Sequence, residues 1–284
     1  MIRLSAFADE ISADLDEQIT VLHQENIRFL ELRGVWNTNV LDLTDQQVHR
    51  IKEALSTQDI KVSAIGSPIG KVPINSSFAH HLERFNRAIE LAHLFQTPYI
   101  RIFSFYPPTA ATNRAERAHN SDPLQWRDEV ISRLKELAAR ARAANITLLH
   151  ENEKDIYGDT IARCVDLLQS VNDAHFQAIL DPANFIQCGQ IPSPEGYQAI
   201  LPWLRYIHVK DARPDGSVVA AGEGAARWPD LLLRLRQDRY DGFFSLEPHL
   251  AAARQFQGFS GPHLFRHASQ SFQQMLKNIG WQYS

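Results

Sequence analysis

The sequence predicts an α/β protein, a single (β/α)8 TIM barrel over residues 1–284, and three observations carry that expectation. Short aliphatic or β-branched runs alternate with longer segments of helical period, the pattern of repeated βα units. The units number eight, and the chain of 284 residues is close to the roughly 250 typical of such a barrel. No Pro/Gly/Ser-rich linker divides them. A doubly wound open sheet is the alternative, but no Gly-x-Gly-x-x-Gly turn follows the first strand, so the dinucleotide signal is missing.

The elements follow in order. Strands are expected over residues 2–8, 27–32, 60–66 and 98–105, each an apolar run bounded by polar residues. Four more are expected over 145–151, 175–181, 203–209 and 242–247. Between them, helical periodicity runs from Asp16 to Glu25, Thr44 to Thr57, Ser77 to Phe95, Asp122 to Ala144 and Asp159 to Ser170. A short helix after Ser193, then Trp228 to Gln237 and His263 to Ile279, complete the set. Thr44 with Gln47 three residues on reads as a capping box, and Asp122-Pro123 places proline in a first helical turn. The long polar loop from Pro107 to Asn120 has the length to cover the barrel mouth as a lid.

Composition narrows the function. With 44% hydrophobic and 22% charged residues, the chain can bury a large core without staples. The 29 Lys+Arg against 33 Asp+Glu leave a net charge of −4, and no basic block would track a phosphate backbone, so no nucleic-acid partner is expected. Two cysteines, Cys164 and Cys188, fit a reducing cytoplasm rather than a disulfide framework, and Cys188 as a nucleophile has only weak support. The apolar run at Met1–Ala8 is too short for a signal peptide, and no stretch approaches the roughly 20 apolar residues of a membrane span. A cytoplasmic protein without a membrane partner is expected.

Four strands of the second half end on polar residues with metal-ligand chemistry: Glu151, Asp181, His208 and Glu247. In a barrel, strand ends converge on one mouth, so these four become neighbours despite their separation in sequence. Each alone is more often a cap or a solvated loop residue; four in consecutive βα units are hard to attribute to chance. Three carboxylates and one imidazole, with no cysteine, predict one divalent ion of the Mn²⁺, Zn²⁺, Co²⁺ or Mg²⁺ kind at a catalytic centre.

On those motifs, above all His208-Val209-Lys210-Asp211 and Ser245-Leu246-Glu247-Pro248, the chain resembles the xylose-isomerase-like TIM barrels, which include sugar phosphate isomerases and epimerases. The resemblance implies that Glu151, Asp181, His208 and Glu247 match the family's metal ligands. It also implies that Glu151 and Glu247 work as a facing acid/base pair on a small carbohydrate, in a homodimer or homotetramer. The chemistry agrees. Moving a proton beside a carbonyl needs a base, an electrophile for the enediolate and an acid, and a metal chelating the substrate oxygens supplies the electrophile.

Further positions follow from strand alternation, because residues two apart share a face. Lys210 and His249 follow His208 and Glu247 toward the mouth; Lys210 either neutralises the enediolate or pairs with Asp211 at the surface. Arg213 stands near the position of a substrate-binding arginine in ketose epimerases, one residue early. Asn184 stands where relatives often carry a histidine, and Tyr157 where ketose epimerases carry a substrate-gripping glutamate. Arg101, a charge inside an apolar strand, needs a partner or a polar lumen and is a fourth substrate-binding candidate beside Asn184, Lys210 and Arg213. Glu31 and Arg33 either line the pocket or pair with each other at its rim. Trp36 and the Phe103–Tyr106 cluster wall the site or, as the blander reading, pack the core. The Ala221-Gly222-Glu223-Gly224 segment reads as a turn rather than a phosphate cradle.

The leading reading is therefore a divalent-metal-dependent sugar or sugar phosphate isomerase or epimerase. The alternative is a metal-dependent dehydratase of an inosose-like polyhydroxy keto compound, which abstracts the same proton and then expels a hydroxyl. An endonuclease IV-like nuclease is disfavoured by Asn184, by a glycine segment without histidine and by the negative charge. A non-catalytic sugar-binding protein would not need the paired glutamates.

Overall fold

A computed structural model describes residues 1–108, 122–250 and 260–284 of the chain. Eight parallel strands close into a barrel: β1 Arg3–Ala6, β2 Phe29–Leu32, β3 Lys61–Ile65, β4 Tyr99–Ile102, β5 Thr147–Glu151, β6 Phe176–Leu180, β7 Leu204–Val209 and β8 Phe243–Leu246. Each pairs with its neighbours in sequence, and β8 closes on β1 through Ser5 opposite Ser245 and Ala6 opposite Leu246. This is the predicted (β/α)8 architecture. Helices α1 Leu15–Gln24, α2 Asp45–Thr57, α3 Phe78–Leu94, α4 Arg127–Ala143, α5 Ile161–Val171, α6 Pro182–Gln187, α7 Tyr197–Ile200, α8 Trp228–Gln237 and α9 Gly261–Asn278 lie between and after them.

The helix starts follow their caps. The Asp14 side chain accepts from the Glu17 amide, Thr44 and Gln47 form the expected capping box, and Thr160 accepts from Arg163. The buried stripe of α5, Cys164, Leu167, Leu168 and Val171, has the three-and-four spacing of a helix lying on a sheet. Inside the barrel, Ala64, Leu149, Ile179, Tyr206 and Phe243 form a separate apolar plug with Phe29 and Tyr99 packed against it. Burying a Phe or Leu side chain contributes about 1.5–3 kcal/mol, so this plug closes the barrel floor with ordinary core packing. Above it, Ser5 Oγ lies 2.6 Å from Ser63 Oγ, which lies 2.8 Å from the Tyr206 hydroxyl.

Several strand boundaries fall short of expectation, β1 among them, which runs over Arg3–Ala6 where residues 2–8 were expected. The strand predicted over 98–105 ends at Ile102, because the chain then leaves the barrel: Phe103 N donates to Ile69 O and Phe105 N to Gly70 O, with Phe105 at φ +65. The aromatic cluster that follows packs inward, Phe103 and Phe105 being buried, while Trp36 is packed against the core. After β6 the chain forms a short helix outside those expected from the sequence, α6, with Pro182 in its first turn. Most of the loop expected to act as a lid lies outside the described residues. No described helix is long and apolar enough to cross a membrane.

Candidate metal centre

Alternation along the strands decides what reaches the mouth. In β7, Tyr206 lies in the floor plug and His208 two residues on; Lys210 follows beyond the strand end. In β8, Phe243 and Ser245 are succeeded by Glu247, and in β5 Leu149 by Glu151. Asp181 immediately follows β6 and serves as N-cap of α6, where its Oδ1 accepts the Asn184 amide at 2.9 Å. One ligand atom each from Glu151, Asp181, His208 and Glu247 lies within 4.8 Å of the others, and all four residues are buried.

The imidazole sits at the centre. His208 Nδ1 is 3.3 Å from Glu151 Oε1, 3.6 Å from Glu247 Oε2 and 3.9 Å from Asp181 Oδ2, while Nε2 is 3.2 Å from Glu31 Oε2. Phe7 and Tyr206 contact its ring edge to face, with centroids 5.1 and 5.9 Å away. Asp181 is fixed from both sides, since its amide donates to Asn152 Oδ1 and its carbonyl accepts from Asn152 Nδ2, each at 2.9 Å. Asn184 Nδ2 donates to Glu151 Oε1 at 3.1 Å and to the Asn152 carbonyl at 2.9 Å.

Three cations surround the carboxylates. Arg101 Nη1 donates to Glu151 Oε2 at 3.1 Å and stands 3.7 Å from Glu247 Oε1. Lys210 is buried, with Nζ 2.7 Å from Asp181 Oδ2 and 3.3 Å from Glu247 Oε2. The Lys210–Asp211 surface pair is thereby corrected: the Asp211 carboxylate instead accepts the backbone amides of Ala212, Gly222, Gly224 and Ala226. Those amides are turned inward onto an internal anion, so the Gly222–Gly224 segment is a tied turn and not a phosphate cradle. Arg33 grips Asp9 at 2.7 Å, Glu10 at 2.8 Å and Glu247 at 2.5 Å. Its guanidinium and that of Arg101 lie 4.3 and 4.8 Å from the Phe7 ring centroid. Glu31 and Arg33 therefore have different partners, and the rim pair expected between them does not form.

Burial alone would lower the His208 pKa, but the Glu151 and Glu31 carboxylates override it and lift the group to about 10. Burial likewise opposes ionisation of Glu247, yet Lys210, His249, His208 and Arg33 hold it well below the usual carboxylate range. Glu151 is lowered to about 2 against its own burial by His208 and Arg101. At Asp181 burial prevails over Lys210, and the group rises to about 6. So many buried carboxylates need positive charge at their centre.

The side chains fit a divalent cation. Asp181 Oδ2 and His208 Nδ1 are buried and face each other across 3.9 Å; neither makes an aligned hydrogen bond among the described residues, although the Lys210 ammonium stands 2.7 Å from Asp181 Oδ2. A carboxylate oxygen and an imidazole nitrogen so arranged, beside two further carboxylates, form the mixed oxygen/nitrogen donor set that suits Mn²⁺, Co²⁺, Zn²⁺ or Mg²⁺.

The structure thus brings Glu151, Asp181, His208, Glu247, Asn184, Lys210 and Arg101 into one cluster. Arg213 stays outside it, exposed in the turn between the short strands Asp211–Ala212 and Val218–Val219, where its amide donates to Ser217 O. His249 points to Glu10, Nε2 to Oε1 3.0 Å, and is 3.8 Å from Glu247 Oε1. Tyr157 turns away from the cluster and donates its hydroxyl to Asp166 at 2.7 Å. Cys164 and Cys188 are free, and burial pushes the Cys188 thiol up to about 12, which disfavours the nucleophile reading. Sequence reasoning passed over Asp9 and Glu10. Their signal was available: two acidic residues directly after the first strand belong at the same mouth.

The profile of the family described as Xylose isomerase-like TIM barrel matches residues 20–274. No curated protein sequence matches the chain. Among solved structures, the probable 3-DHS dehydratase AsbF from Bacillus anthracis aligns with a TM-score of 0.72 and 18% identity, covering 96% of this chain and 99% of that one. D-Psicose 3-epimerase from Clostridium cellulolyticum H10, solved with D-tagatose, aligns with a TM-score of 0.73 and 11% identity over 99% and 100% of the two chains. The IOLI protein with a bound zinc atom aligns with a TM-score of 0.70 and 16% identity over 98% and 97%.

Proposed function

The chain belongs to the xylose isomerase-like TIM barrel family, and from that premise we propose that it is a divalent-metal-dependent isomerase or epimerase of a small polyhydroxylated carbonyl compound. One observation carries the reading: Glu151 and Glu247 flank the same buried point, 3.3 and 3.6 Å from His208 Nδ1. Glu151, Asp181, His208 and Glu247 would hold the ion, which when bound supplies Lewis acidity toward the substrate's carbonyl and hydroxyl oxygens.

The remaining chemistry belongs to this chain's side chains. Both glutamates are held ionised, the state in which a carboxylate can take a proton from the carbon beside a carbonyl. Arg101 and Asn184 orient Glu151; Arg33 and Lys210 orient Glu247. In epimerisation one ionised glutamate would take the proton from one face of the reacting carbon, and the other, in its protonated form, would return a proton to the opposite face. Lys210 and Arg101, both buried, place positive charge where an enediolate would develop.

A dehydratase is the second reading, and the buried Lys210 ammonium beside Glu247 favours it, because a departing hydroxyl needs a proton donor close to the base. A soluble, cytoplasmic protein acting on a free or phosphorylated sugar without nucleic acid fits either. The test is to measure bound metal and to screen keto sugars, their phosphates and inososes in deuterated water. Stoichiometric metal with solvent deuterium in recovered substrate or product supports the proposal; neither across the panel defeats it. A dehydrated product assigns the second reading.

A further inference from the structure

We propose that Glu31, on β2, is a positioning residue that fixes which nitrogen of His208 keeps its proton, leaving Nδ1 bare toward the metal point; this rests on the metal-centre reading above. Glu31 is fully buried, and neither carboxylate oxygen has an aligned hydrogen-bond partner among the described residues. A buried carboxylate without a donor is costly unless a positive or N–H-bearing group stands against it. That group is His208, whose Nε2 is 3.2 Å from Glu31 Oε2. The ring is already held edge-on by Phe7 and Tyr206, so its two nitrogens have fixed directions, Nε2 toward β2 and Nδ1 toward Glu151, Glu247 and Asp181.

To ligate a cation the imidazolium must shed one proton, and the neutral ring that results carries one N–H. With Glu31 in place the proton belongs on Nε2, which leaves the Nδ1 lone pair aimed into the carboxylate cluster, an arrangement that is repulsive unless a cation lies between. Without Glu31 the proton would move to Nδ1, where three carboxylates stand ready to accept it, and the imidazole would cease to be a ligand. Glu31 thus decides between a metal site and an internally hydrogen-bonded cluster.

The test compares wild type with Glu31→Leu and Glu31→Gln, the latter keeping an acceptor oxygen at the same place. Zinc dissociation constants are measured against a chromophoric chelator, and the His208 tautomer is read from 15N–1H correlation of the zinc-loaded, histidine-labelled proteins. Expected is a loss of roughly 10–100-fold in zinc affinity for Leu, a smaller loss for Gln, and a protonated Nε2 retained in wild type and Gln. Should the Leu variant fail to fold, the Gln variant still decides, through a weakened affinity. Equal affinities and an unchanged His208 signature in every folded variant overturn the positioning role while leaving the metal centre standing. A wild type that binds no zinc, manganese, cobalt or magnesium overturns both.

Discussion

Replacing Arg33 with Met removes one guanidinium and keeps most of the apolar stem that lies on Phe7. Three carboxylates lose the Arg33 contact at once: Asp9 at 2.7 Å, Glu10 at 2.8 Å and Glu247 at 2.5 Å. Glu10 and Glu247 side chains are 0% and 3% exposed, so water does not replace the lost charge. Breaking a buried pair from one side costs about 3–5 kcal/mol, and Glu10 keeps His249 while Glu247 keeps Lys210, which places the expected loss near the lower end. Equilibrium urea unfolding at pH 7 reads it as a shift of midpoint at unchanged slope. The variant's orphaned carboxylates have raised pKa values, so the deficit shrinks as pH falls toward 5 and they become neutral. A loss under about 1 kcal/mol at pH 7, or one that grows on acidification, would refute the view of Arg33 as the counter-charge of this cluster.

Acid lability follows from His81, whose Nε2 accepts the Gly70 amide at 3.0 Å and whose pKa is lowered from 6.5 to about 4 by burial and by nearby Arg133, Arg84 and His80. The folded state holds this imidazole neutral, so its contribution is present above pH 6.5 and is lost as pH falls toward 4, by up to about 3 kcal/mol; a His81→Gln variant should show a flatter stability profile across that window. At Gly224 an added Cβ would lie 2.3 Å from Asp211 Oδ1 and 2.4 Å from the Ala212 carbonyl, so Gly224→Ala is expected to cost about 1–3 kcal/mol, read as a lowered melting temperature, and a neutral effect would contradict the tied-turn description.

Much of this was legible because barrels convert sequence periodicity into position. The alternation of apolar strands with amphipathic helices gave the eight units, and residues two apart on a strand share a face, which is why Tyr206, His208 and Lys210 line up through the interior. What stayed hidden were pairings between distant elements, which have no period. Arg33 on the mouth side of β2 meets Glu247 after β8, and Lys210 meets Asp181 rather than its neighbour Asp211. The Phe103–Tyr106 run has the composition of a strand yet turns away at Ile102, because its backbone pairs with residues 69–72 instead of the barrel. The start of α6 was readable in retrospect: Asp181-Pro182 is a cap followed by a first-turn proline, and the same aspartate spends one oxygen on the helix and keeps the other for the centre.

Wash-in of solvent deuterium at the carbon beside the carbonyl, with metal and substrate saturating, is the most direct measure of the central claim that Glu151 and Glu247 move the proton. Wild type should incorporate deuterium in step with turnover, and Glu151→Gln and Glu247→Gln should each lose about 100-fold or more in that rate while remaining folded. Either variant exchanging at the wild-type rate would contradict the account.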